Sequence, residues 1–208
     1  MEALHLAEIG GVLAVWFLAV ASPGPSFLIV SQLAAGRSRA AAVGAALGIA
    51  LGAMLFAVLT LWGLAVVVTQ IAWLGTALRV AGALYLVYLG LSLFHAASGE
   101  TASDPVPVPR GADFTVGLRI GALTSITNPK AIAFFLSLFA VALPPALPLA
   151  GKLTLLAAGF GIEIGWYVLV ALVLSTGHLR ALYARARKGL ERVLGAALVL
   201  LGVRLGST

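Results

Sequence analysis

Three short stretches hold the residue types that could do chemistry: Ser22-Pro23-Gly24-Pro25-Ser26, Asn128-Pro129-Lys130, and the lone carboxylate of Glu163. Proline inside a helix deletes a backbone hydrogen bond and clashes with the preceding turn. Ser22 and Asn128 are favoured N-cap residues, and each is followed by a proline, which suits a first helical position. Each of the two proline stretches therefore predicts a rupture at which a fresh half-helix starts. The free N–H groups and positive dipole end of such a half-helix attract anions, and Lys130 adds a full positive charge. A carboxylate is the natural small ligand. Lys130 and Glu163 are expected to form a buried ion pair for which a zwitterion would compete, with its carboxylate at Lys130 and its ammonium at Glu163. The plainer reading is that the prolines kink helices for packing and the charges form a static pair.

The elements that must carry these residues are membrane spans. Of the 208 residues, 62% are hydrophobic and only 10% charged, against roughly 25% charged in an ordinary soluble domain. The mean hydropathy is +1.11. A chain of this size has too little polar surface to cover a water-soluble globule, which excludes a soluble enzyme, a nucleic-acid-binding domain and a disordered chain. With no cysteine, a disulfide framework, a thiolate metal site and a thiol relay are excluded as well. The start does not read as a secretory signal: Glu2 and Glu8, not Lys or Arg, flank an apolar run that is too long for one.

A spanning helix needs about 20 mostly apolar residues. On that rule the chain is an all-α polytopic membrane protein with six spans, at about 9–35, 43–68, 76–94, 116–143, 152–176 and 190–205. The first and fourth are broken at their prolines. Residues 1–95 form a first three-helix unit, 96–115 a Pro/Gly-rich cytoplasmic linker, and 116–208 a second three-helix unit. The sixth span is short, and Arg192 and Arg204 would have to snorkel to reach both faces. Basic residues sort nine to three between the two sides, with Arg37, Arg39, Arg110, Arg119, Arg180, Arg185, Arg187, Lys188 and Arg192 against Arg79, Lys152 and Arg204. This positive-inside bias puts loops one, three and five in the cytoplasm and both termini outside.

Three spans, a linker and three more suggest duplication. An offset of 106 residues lays Ser22-Pro23 on Asn128-Pro129, and an offset of 112 lays Leu89-Gly90 on Leu201-Gly202. Units with an odd number of spans must lie in opposite orientations. This is the 3+3 inverted repeat of many secondary transporters, which bind solute at broken helices near the midplane. Lys130 and Glu163 are the ionisable residues deep in the predicted spans, and such a charge is a functional candidate by default. Glu163 could also carry a coupling proton. Gly44, Gly48 and Gly52, then Gly117 and Gly121, then Gly161 and Gly165, follow the small-xxx-small spacing that permits close helix approach. Trp16 is expected in lipid or core contact.

These residues resemble the LysE/RhtB superfamily of bacterial amino-acid exporters over nearly the whole chain. The Ser22-Pro23-Gly24-Pro25 motif, Asn128-Pro129-Lys130, the Gly36-Arg37-Ser38-Arg39 turn, the Gly44 to Gly52 row and Gly82-Ala83-Leu84-Tyr85-Leu86-Val87-Tyr88-Leu89-Gly90 carry the resemblance. Members usually have Thr before Pro-Gly-Pro and often Asn or Asp after it, where this chain has Ser22 and Ser26; Glu163 is not a hallmark. The resemblance implies a multi-pass inner-membrane exporter of amino acids or close derivatives, driven by the proton motive force. Its partners would be the amino acid, protons and membrane lipid, with no nucleic acid; a homo-oligomer stays open. No cofactor, metal or enzymatic role is implied. The expected substrate site comprises Ser22, Pro23, Gly24, Pro25, Ser26, Asn128, Pro129, Lys130 and Glu163, with Glu163 as the proton-coupling group. Two other readings stand beside it. One is export of another solute or a cation, for which Glu163 is the sole mid-span carboxylate. The other is an intramembrane enzyme using a serine (Ser22, Ser31, Ser125 or Ser137) with Lys130 as base.

Overall fold

The computed structural model describes residues 2–22, 24–36, 38–70, 72–98, 111–142, 147–175 and 177–206. Pro23, Arg37 and most of the predicted linker lie outside the described residues. The described residues form eight helices: α1 (Glu2–Ala21), α2 (Pro25–Ala35), α3 (Arg39–Gln70), α4 (Ala72–Ser98), α5 (Phe114–Ile126), α6 (Pro129–Ala142), α7 (Leu149–Leu174) and α8 (Gly177–Gly206). There is no strand among the described residues.

Both predicted ruptures are present. The axes of α1 and α2 bend by 52° and those of α5 and α6 by 58°. By length and composition three helices can cross a membrane, and the total is five if each bent pair is one span. Those three overlap the second, third and fifth predicted spans, and the bent pairs overlap the first and fourth. The sixth prediction differs most. Instead of a short helix from 190, a 30-residue helix starts at Gly177, so the basic segment read as loop five is helical. It contains Glu191, which is fully buried and accepts from Arg187 Nε at 2.7 Å. This i,i+4 pair lets a charged sequence continue as helix.

Glycine rows set how closely the helices approach. Gly44 and Gly48 on α3 lie directly on the backbone of α5 at Phe114 and Leu118, and Gly117 and Gly121 on α5 lie on Ala41 and Ala45 of α3. The two helices thus interlock on carbonyl groups, with no room for a methyl group on either face. A Cβ on Gly52 would stand 2.6 Å from that of Ser125. The antiparallel α4–α8 contact is built likewise. A Cβ on Gly90 would stand 2.6 Å from the Gly195 carbonyl oxygen and 2.7 Å from Val199, and one on Gly202 would stand 2.8 Å from the Ala83 carbonyl oxygen and 2.8 Å from Val87. The third row is different: Gly161 and Gly165 face open space, so their spacing closes no helix pair.

The contrast is testable by thermal unfolding in detergent. Gly117→Leu forces α5 off α3 and is expected to destabilise by about 3 kcal/mol or more, at or beyond the usual range for overpacking. Gly161→Leu, with the same spacing motif and the same added volume, is expected to stay within about 0.5 kcal/mol of the parent.

Candidate functional site

Local sequence explains how each break opens. At the second, Pro129 takes the first position of α6, and the Asn128 side chain caps the helix by accepting from Lys130 N at 3.0 Å. This is the cap-then-proline arrangement expected there. The first break departs from expectation by two residues. Ser22 closes α1 rather than opening α2: its N–H bonds back to Leu18 O and Ala19 O, and its hydroxyl donates to Ala19 O at 2.6 Å. The N-cap is Gly24 and the first helical residue is Pro25. The residue before a proline is pushed out of the helical region, and Gly24 is accordingly extended, at φ −164°, ψ −173°. The second proline of the motif therefore overrides the N-cap preference of Ser22.

Lys130 joins the two breaks. Its ammonium donates to the Ser22 hydroxyl at 2.8 Å and lies beside Gly24. Tyr85 on α4 donates to the Lys130 carbonyl at 3.3 Å. A cation in the first turn of a helix opposes the macrodipole, whose N-terminus prefers negative charge. Lys130 thus makes the region between the starts of α2 and α6 strongly positive, and an anion there would relieve it.

A cavity of about 60 Å³ opens beside this junction. At roughly 10–15 Å³ per enclosed water, it has room for about four to six waters or a small polar solute. Ser22, Gly24, Pro25, Ser26, Asn128, Lys130 and Glu163 all line it. Pro129, though it starts α6, is not in the lining, and Pro23 lies outside the described residues. Four further polar or aromatic walls come from Ser125, Phe134, Phe135 and Tyr167, and α3 supplies Ile49 and Ala53. The Tyr167 hydroxyl faces Ser26.

Glu163 sits in the α7 wall at 4% exposure, but the expected ion pair with Lys130 is absent among the described residues. The Glu163 Oε1 atom instead accepts from the Trp16 indole N–H at 2.9 Å. Trp16 is completely buried, with its ring edge-on to Phe135 at 4.8 Å and Phe139 at 6.1 Å. It fits because α7 carries glycine at the facing position: a Cβ on Gly159 would stand 2.5 Å from the indole. Sequence reasoning assigned Trp16 to lipid or core. A donor 147 residues away from its acceptor has no signature in local spacing; the only hint was that a mid-span carboxylate needs a partner.

Ser125 was read only as one of several hydroxyls. Ser22, Ser31, Ser92 and Ser175 all return their hydroxyl to a carbonyl three or four residues back. Ser125 is 2% exposed and lies in the cavity wall. No group of three or more His, Cys, Asp or Glu side chains placed to hold a metal ion occurs among the described residues.

Known proteins place this architecture. The chain is 33% identical to the threonine efflux protein of Escherichia coli strain K12 over 192 residues, covering 92% of this chain and 93% of that protein. Identity is also 33% to the threonine efflux protein of Salmonella typhi, over 92% of this chain and 93% of the relative. To the leucine efflux protein of Salmonella choleraesuis it is 30%, over 93% and 92% respectively. No solved structure matches the chain. The family model described as LysE type translocator matches residues 17–208, which takes in both helix breaks, Lys130 and Glu163, and the chain belongs to the LysE-type translocator family.

Proposed function

We propose that this multi-pass membrane protein exports amino acids or close derivatives across the bacterial inner membrane, driven by the proton motive force. The carrying observation is the Lys130–Ser22 hydrogen bond, which brings both helix breaks to one cavity with Glu163 in its wall. The substrate carboxylate takes the positive junction between α2 and α6, held by Lys130 and the backbone at Gly24, Pro25 and Ser26 and at Asn128 and Pro129. The substrate ammonium takes Glu163. The cavity volume and its apolar walls favour a small neutral amino acid, in keeping with relatives named for threonine and leucine efflux.

Glu163 also carries the coupling proton in this reading. Protonated, it no longer attracts an ammonium; ionised, it does. A group that holds either a proton or the substrate, but not both, exchanges one for the other, which drives export when protons enter.

Six spans in two inverted units frame the mechanism. The α4–α8 contact supports this arrangement: adding 112 to Gly90, Ala83 and Val87 gives Gly202, Gly195 and Val199, and Gly90 meets Gly195 and Val199 as Gly202 meets Ala83 and Val87. Such reciprocity is expected of two halves related by a pseudo-two-fold axis. In this frame residues 1–95 and 116–208 are the repeats, α8 supplies the sixth span, the basic loops lie in the cytoplasm and both termini lie outside.

Counterflow in proteoliposomes against a panel of amino acids, with and without a pH gradient, tests the reading. Exchange of small neutral amino acids, accelerated by the gradient, is the expected result; no exchange of any amino acid would overturn it. Glu163→Gln is expected to insert normally and to lose proton-driven export at least tenfold, so full proton-coupled export by that variant removes Glu163 from the mechanism. Lys130→Met is expected to raise KM more than tenfold, since a hydrogen bond to a charged group contributes about 1.5–3 kcal/mol. The same variant should transport an amino-acid amide, which lacks the carboxylate, about as poorly as the parent does.

A further inference from the structure

We propose that α1 holds the two charges of the cavity apart, with Trp16 as the positioning residue for Glu163 and Ser22 as that for Lys130. The inference rests on the zwitterion reading above and adds what keeps the empty site from closing on itself. Lys130 and Glu163 line one small cavity, where opposite charges attract more strongly than in water. Yet each is taken by a neutral partner, and both partners stand on α1 or at its C-terminal end: Trp16 within the helix donates to the Glu163 carboxylate at 2.9 Å, and Ser22, six residues on and just past the last helical residue, accepts from the Lys130 ammonium at 2.8 Å.

The indole cannot slip away. Phe135 and Phe139 close its edges, and Gly159, one turn before Glu163 on α7, leaves a space that only a residue without Cβ can leave. The bond itself is charge-assisted and therefore strong. Trp16 takes one of the two carboxylate oxygens of Glu163, and Ser22 takes one of the three donors of the Lys130 ammonium. Each charge thus keeps an open valence toward the cavity. A zwitterion meets two separated, half-satisfied charges rather than a closed ion pair that it must first break, which is preorganisation in the ordinary sense.

Zero-length carbodiimide coupling of the purified full chain, read by mass spectrometry of peptides, tests this. The reagent joins a carboxylate to an amine only when the two touch. In the parent protein little Lys130–Glu163 amide is expected. Trp16→Phe keeps an aromatic ring against Phe135 and removes the N–H; Ser22→Ala removes the other tether. Both variants are expected to raise the coupling at least fivefold, added threonine is expected to suppress it, and KM for threonine is expected to rise about tenfold while the maximal rate falls less. A residue that only packs would lower folded yield or maximal rate without creating the new amide. Efficient coupling in the parent, or parent-like coupling and KM in a monodisperse variant, overturns the proposal. If Trp16→Phe fails to fold, Ser22→Ala decides by the same two readouts. Absence of amino-acid exchange in the parent would defeat the transport reading, while the coupling yields would still decide whether the charges are held apart.

Discussion

A helix broken in an apolar medium must satisfy the backbone groups that the break releases; in this chain the Asn128 side chain takes the Lys130 N–H at one break, and the Lys130–Ser22 side-chain bond joins that break to the other. Two ruptures left separately in hydrocarbon would each expose unpaired N–H groups, which is tolerated only where protein or a wet cavity receives them. By reaching from the first turn of α6 to the residue just past α1, Lys130 ties one rupture to the other. Residues of six helices, α1, α2, α3, α5, α6 and α7, line the cavity beside that tie, and Lys130 makes the field within it positive. The placement of lysine is itself unfavourable, since it adds positive charge where the helix dipole is already positive. In the proposed reading, that local conflict between stability and charge preference is what suits the junction to a substrate carboxylate.

The packing around the cavity is uneven, and the unevenness creates the space. Where α3 faces α5, glycine and alanine bring backbones into contact; a Cβ on Gly48 would stand 2.6 Å from Ala122 N. Where α7 faces α1, the glycine is again present, at Gly159, but the facing residue is tryptophan. The first pair closes completely. The second is wedged open by an indole that fills most of the gap and points its one polar atom at Glu163. In the proposed two-fold frame α3–α5 and α7–α1 are equivalent contacts between the halves, and the same kind of contact, glycine on one helix against a neighbour's surface, serves as a seam in the first and as a cavity-side wall in the second.

Much of this was legible in the sequence because it depends on local rules. Proline removes a donor wherever it stands, so the breaks near residues 23 and 129 could be read directly; glycine rows at a four-residue spacing marked where helices could approach closely, without naming their partners. What escaped depended on the rest of the fold. Gly161 and Gly165 have the same spacing as Gly117 and Gly121, and nothing in the spacing says which row meets a neighbour. Ser22 is a better N-cap than Gly24 by propensity, yet the extended conformation imposed by Pro25 moved the helix start. The start of α8 at Gly177 was hidden by its arginines, which read as loop until Glu191 is seen buried against Arg187. Charge chemistry pointed to Lys130 and Glu163 but paired them with each other, since no sequence rule reveals that an indole and a hydroxyl from one helix stand closer.

Neutral partners for the two charges also bear on how such a site releases its cargo. In the proposed reading a bound zwitterion would neutralise both ends of the cavity at once, and if Lys130 and Glu163 replaced it with each other, every departure would leave a closed pair for the next substrate to break. Tryptophan and serine offer weaker, permanent bonds that neither charge needs to leave. The empty and filled states then differ mainly in what occupies the open valences, water or solute, and little in where the side chains stand. A site built this way keeps the difference between its two states small, so that binding is reversible from either side. The free energy for export in the proposed reading then comes from the proton at Glu163, because the resting charges store none of it.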